Sequence, residues 1–85
     1  MKQKVLKYDV IFEKQNVGGY TVTVLSLPSC ISEGDTFKEA KRNIAEAITL
    51  YLESLAMDGE KIPEGDTNIF IDQVTVNRPN ISSQV

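Results

Sequence analysis

A chain of 85 residues suits one small domain, which at this size buries about 60–65% of the surface its unfolded form exposes. With 41% apolar and 25% charged side chains, and no apolar run near the ~18 residues that a membrane span needs, the composition is that of a globular protein and excludes the bilayer as its solvent. Twelve acidic against nine basic groups and no histidine argue against a phosphate-binding basic surface. They also exclude Ser-His-Asp and Cys-His catalysis and most zinc sites.

The charge is unevenly placed. Residues 1–30 hold four lysines against Asp9 and Glu13, a balance of +2, whereas residues 31–85 hold five basic against ten acidic groups, a balance of −5. Such a surface suits a basic partner as well as solubility. The N-terminal "MKQKVLKYDVIF" interleaves charge with apolar residues and no small-residue cleavage site follows, so no secretory signal is expected. One cysteine cannot form an internal disulfide, which agrees with a cytoplasmic location.

In chain order, Leu6, Tyr8, Val10 and Phe12 share one parity between Val5 and Phe12, the period of a half-buried strand. "EKQNVGG" (13–19) is a reversing loop, and Tyr20, Val22 and Val24 alternate with Thr21 and Thr23 in a second strand, predicting an antiparallel hairpin. Pro28 marks a turn, and "CISE" (30–33) reads as a short third strand.

Thr36 and Glu39 have the spacing of a capping box, which predicts a helix start. Phe37, Ala40, Ile44, Ala47, Ile48, Tyr51, Leu52 and Leu55 then trace one apolar stripe, with Lys38, Arg42, Glu46 and Glu53 opposite, until Asp58-Gly59 supplies a stop. Truncating Ile44 or Ile48 to alanine is expected to threaten folding. Beyond the polar "EKIPEGDTN" (60–68), the β-rich "IFIDQVTV" (69–76) reads as a fourth strand, its parity blurred by Asp72 and Gln73 as at an edge or bulge. Residues 1–77 are then one domain and 78–85 a flexible tail. The expected fold is α+β: a two-layer sandwich in βββαβ order, one long helix packed on the sheet.

Little catalytic chemistry is on offer. Cys30 lies among Pro28, Ser29, Ile31 and Ser32, with no base or cation beside it, and reads as a buried strand residue rather than a nucleophile. A two-metal nuclease would need Asp9, Glu13, Asp35 and Asp72 to converge, but Asp35 is better used at the helix entrance. "NVGGY" (16–20) lacks the lysine and hydroxyl of a phosphate loop, and Tyr8, Tyr20 and Tyr51 hold apolar parity. No metal or other cofactor is expected, and the carboxylates Glu33, Asp35, Glu60 and Glu64, off the apolar stripe and near loops, are the candidate partner contacts.

The segment "GGYTVTVLSLPSCISEGDTFKEAKRNIAEAITLYLE" (18–53) resembles the HicB-like antitoxins, whose pattern runs G-G-Y, strand, L-P-x-C, short strand, G-D-T, then E-A-x-x-N-I-x-E-A-I-x-L-Y-L. The likeness covers residues 5–76. It implies a partial, degenerate RNase H-like βββαβ fold without that enzyme's working carboxylates, and a non-catalytic role in neutralising HicA, a small basic mRNA-cleaving toxin. Self-association as a dimer or tetramer is expected. Longer members add a C-terminal DNA-binding domain; this chain stops after its fourth strand, so no direct nucleic-acid binding is expected. An orphan homo-oligomeric interaction module without a toxin is the alternative, and a residual Mg²⁺-dependent nuclease a third reading. The family commonly has glycine after the turn proline, where this chain has Ser29. If the turn needs positive φ there, serine costs about 1 kcal/mol, whereas a type I turn avoids that cost.

Overall fold

The computed structural model describes residues 5–65, 68 and 70–80. Three strands, β1 (Val10–Lys14), β2 (Tyr20–Val24) and β3 (Ile31–Gly34), are followed by one long helix, α1 (Phe37–Met57). The sheet order is β1-β2-β3, and both pairings are antiparallel.

The register follows from the side-chain alternation. Val10 lies opposite Val24, Phe12 opposite Val22 and Ser32 opposite Val22 on its other side, so one sheet face collects the apolar parity. The other face carries Ile11, Glu13, Thr21, Thr23, Ile31 and Glu33. The β1–β2 hairpin closes through Gln15 and Gly18–Gly19. The Gly18 N–H donates to the Gln15 carbonyl and the Gln15 N–H to the Gly19 carbonyl, and both glycines hold the positive φ the reversal needs.

Helix α1 begins where its cap predicts. The Glu39 N–H donates to Thr36 Oγ1 at 3.1 Å, and Glu39 Oε1 accepts from the Thr36 N–H at 3.3 Å and the Asp35 N–H at 3.1 Å. At the far end the Glu60 N–H donates to the Leu55 carbonyl and the Gly59 N–H to the Ala56 carbonyl, with Gly59 at φ 71. This is the Schellman arrangement, in which glycine takes the left-handed position at low cost.

The helix lies on the apolar sheet face. Val22, Val24, Leu27, Cys30, Ala40 and Ile44 form the buried core, with Tyr8, Val10, Phe12, Tyr20, Ala47, Ile48, Tyr51 and Leu52 half-buried around it. Phe37 heads the predicted stripe but is half exposed. It stacks over the sheet on Phe12, ring centroids 4.3 Å apart, and meets Tyr20 edge-on at 6.0 Å.

Two boundaries move. The first strand, expected over 5–12, pairs in the sheet over Val10–Lys14; Leu6 and Tyr8 keep their inward, half-buried parity ahead of it. The third shifts by one residue. The fourth strand is a correction: residues 70–80 form no strand and every one is exposed. A β-prone run becomes a strand only when a ladder partner takes its peptide groups, and here the Gln73 N–H is held locally by Asp72 Oδ1 at 2.7 Å. Among the described residues the two-layer α+β arrangement is therefore βββα. Ile69 of the expected strand, and 81–85 of the expected tail, lie outside them.

Candidate functional site

The four candidate carboxylates separate into two pairs. Glu33 sits on the outer parity of β3, and its carbonyl accepts the Asn43 side-chain amide at 2.8 Å, tying the strand to the helix. Asp35 follows one residue after Gly34, its backbone N–H fixed by Glu39. Together Glu33 and Asp35 rim a shallow polar depression of about 300 Å³ with Gln15, Gly18, Gly19, Tyr20 and Gly34. Both side chains are exposed, so rigid backbone presents two solvated carboxylates.

Glu60 and Glu64 lie beyond the opposite end of α1. A helix of 21 residues is about 30 Å long, so the structure does not gather the four into one surface. The two ends also differ electrostatically. Asp35 faces the positive end of the helix dipole, which partly neutralises it. Glu60 adds to the negative end, where Asp58 caps the helix and the last turn holds no basic residue. The helix dipole thus offsets Asp35 at one end and adds to Asp58 and Glu60 at the other, where Lys61 stands beside them.

Sequence reasoning missed the apolar part of the surface. Leu50 is exposed on the outward helix face, within a shallow groove lined by Arg42, Ala45, Glu46, Thr49 and Glu53. Its signal was a leucine off the buried stripe. Ile11 and Ile31 are exposed on the uncovered sheet face, where their outward parity could have flagged them.

Cys30 is buried beneath the turn that precedes β3, and burial pushes its thiol pKa up, away from thiolate character. Its N–H donates to the Leu27 carbonyl at 3.0 Å with Ser29 at φ 72. Leu27-Pro28-Ser29-Cys30 is therefore a type II turn with proline at its second position. Asp9, Glu13, Asp35 and Asp72 do not converge: among the described residues no three His, Cys, Asp or Glu side chains could hold a metal ion. No helix among them is long and apolar enough to cross a membrane.

Fold and surface together define a small α+β domain, one sheet face covered by a single helix and carboxylates presented at both helix ends. The chain belongs to the HicB-like antitoxin family, described as "HicB_like antitoxin of bacterial toxin-antitoxin system", whose pattern matches residues 8–83. It is 44% identical over 72 residues to a UPF0150 protein of Thermoplasma acidophilum, covering 85% of this chain and 99% of that one. A UPF0150 protein of Synechocystis sp. is 44% identical over 64 residues, 75% of this chain and 81% of its own length. "Antitoxin HicB 1" of Photorhabdus laumondii is 35% identical over 60 residues, 71% of this chain but 39% of its own.

Proposed function

We propose that this chain is the antitoxin of a toxin-antitoxin pair, a non-catalytic cytoplasmic protein that binds and neutralises a HicA-type mRNA-cleaving toxin. The family match across residues 8–83 carries this reading. The acidic balance supports it, because a toxin that binds RNA is basic and charge complementarity speeds association more than it deepens affinity. On this reading Glu60 and Glu64, beyond the C-terminal end of α1, and Glu33 and Asp35 at the other end contact separate parts of the toxin. The fold is then a partial RNase H-like one.

Calorimetry of the purified chain against a catalytically disabled HicA-type toxin from the same genome, at two salt concentrations, tests this. Nanomolar binding that weakens with salt is expected. No binding at either salt would leave the second reading, an orphan homo-oligomeric module, which the exposed apolar residues of 70–76 favour.

A further inference from the structure

The chain carries an arm that its own body does not use. Phe70, Ile71, Val74 and Val76 are 89%, 65%, 86% and 79% exposed, and every residue from 70 to 80 is exposed. The radius of gyration is 17.6 Å, against about 12 Å for a compact chain of this length. The accessible surface is 7648 Å², where a compact 9.5 kDa protein exposes about 5,000 Å². Isolated apolar residues on a surface are ordinary; a β-prone run of them standing off the body is not.

The same body offers a receptor for such an arm. In the sheet order β1-β2-β3, β1 has a strand on one side only among the described residues. Where the chain leads into β1, between Leu6 and Tyr8 on one side and Ala45, Ile48, Thr49, Leu52 and Glu53 of the helix on the other, runs a mainly apolar groove of about 500 Å³. Val74 and Val76 share one parity and Gln73 and Thr75 the other; ahead of them Asp72 falls on the parity of Phe70 and the two valines, and Ile71 on the polar one. Over residues 73–76 an added strand turns Val74 and Val76 to the groove and Gln73 and Thr75 to water, and the break in alternation at Ile71 and Asp72 suits an edge strand or a bulge. The root of the arm is fixed close by: the Tyr8 hydroxyl donates to the Pro63 carbonyl, and Gly65 lies against the Lys7 backbone so closely that a Cβ would collide with it.

We propose that the occupant is a second copy of this chain: two chains exchange their 70–77 segments reciprocally, each adding a fourth strand to the free edge of the other's β1 and filling its groove. One chain supplies both donor and receptor, so a two-fold pair satisfies both in both copies and closes. A foreign partner taking the arm would leave the groove open, and one filling the groove would leave the arm exposed.

Sedimentation of the full chain, with the Val74→Asp/Val76→Asp double variant and Val17→Asp as control, tests this. All three positions are exposed in the single chain, so none of the substitutions removes core. The parent is expected to be dimeric, the double variant to dissociate with a Kd raised at least 100-fold, and V17D, at the hairpin tip, to match the parent. A mixed dimer of isotope-labelled and unlabelled chains should show intermolecular NOEs between the arm and residues 10–14. A compact monomer with the arm folded onto its own β1 would overturn the proposal. So would a dimer indifferent to V74D/V76D, one equally sensitive to V17D, one without those NOEs, or a chain that stays monomeric until a toxin is added.

Discussion

Gly34 lies directly beneath the Ala40 backbone. A Cβ built on residue 34 would overlap the Ala40 amide nitrogen and come within 2.9 Å of its Cα and 2.8 Å of the Glu39 carbonyl carbon. The backbone of Gly34 is outside the left-handed region, so glycine is needed for lack of bulk and not for conformational freedom. This contact lets β3 run straight under the first turn of α1, where the Asn43 to Glu33 hydrogen bond and the capping box complete the junction.

Gly34→Ala should therefore cost about 2–3 kcal/mol, near the top of the range for overpacking, because the obstructing atoms are backbone. For a domain of this size that is a fall in Tm of 10 °C or more. Thermal denaturation followed by circular dichroism measures it, and an unchanged Tm would mean the β3–α1 junction is looser than the structure has it.

Much of this fold is legible in the sequence because local chemistry and burial agree. The Thr36–Glu39 box, the Ala40–Ile44–Ile48 stripe and the Asp58-Gly59 stop each carry their own physical reason, and α1 forms between them. Gly34 was hidden because "GDT" reads equally well as a turn; a close approach between strand and helix is a tertiary fact. The expected fourth strand at 69–76 was misread over its described residues because strand propensity alone does not supply a ladder partner, and 70–76 form no strand. The division of Glu33 and Asp35 from Glu60 and Glu64 follows from the length of the helix, which stands between the two pairs.

Ser29 adopts φ 72, the only positive φ at a non-glycine residue among those described, and β2 and β3 hold it there across the type II turn. Left-handed backbone costs a serine about 1 kcal/mol, so Ser29→Gly should stabilise the domain by up to about that amount, less the extra entropy glycine brings to the unfolded chain. Urea denaturation should show a higher midpoint with an unchanged slope. A lower midpoint would mean the serine hydroxyl contributes more than the strain costs.

Ile44 and Ile48 occupy the same helical stripe at different depths, Ile44 3% exposed and Ile48 half-buried. Ile44→Ala should cost about 3–4 kcal/mol, from lost transfer free energy plus a cavity in the core that Ile44 shares with Val22, Leu27 and Cys30. Ile48→Ala, beside the groove that also involves Leu6 and Tyr8, should cost about half as much. If arm exchange fills that groove, the Ile48→Ala penalty should grow with protein concentration while the Ile44→Ala penalty does not. Chemical denaturation of both variants at two concentrations decides this; equal penalties would show that the stripe is uniformly buried.

Cys30 gives a pH signature whose sign is fixed by burial. Its folded-state pKa lies above the ordinary thiol value because desolvation penalises the thiolate. The folded chain thus keeps a proton that the unfolded chain loses near pH ~8.5. Below that value the contribution to stability is complete; as pH rises through it toward the folded pKa, the unfolded state is favoured by its own ionisation and the contribution is lost. The stability difference between the parent and Cys30→Ala, from urea denaturation at pH 7, 8, 9 and 10, should therefore be flat to about pH 8 and shrink above it. Iodoacetamide should modify the native protein far more slowly than the urea-unfolded chain at pH 7.5. Fast native alkylation, or a difference that widens above pH 8.5, would show an accessible, thiolate-prone cysteine and reopen the nucleophile reading that the buried turn excludes.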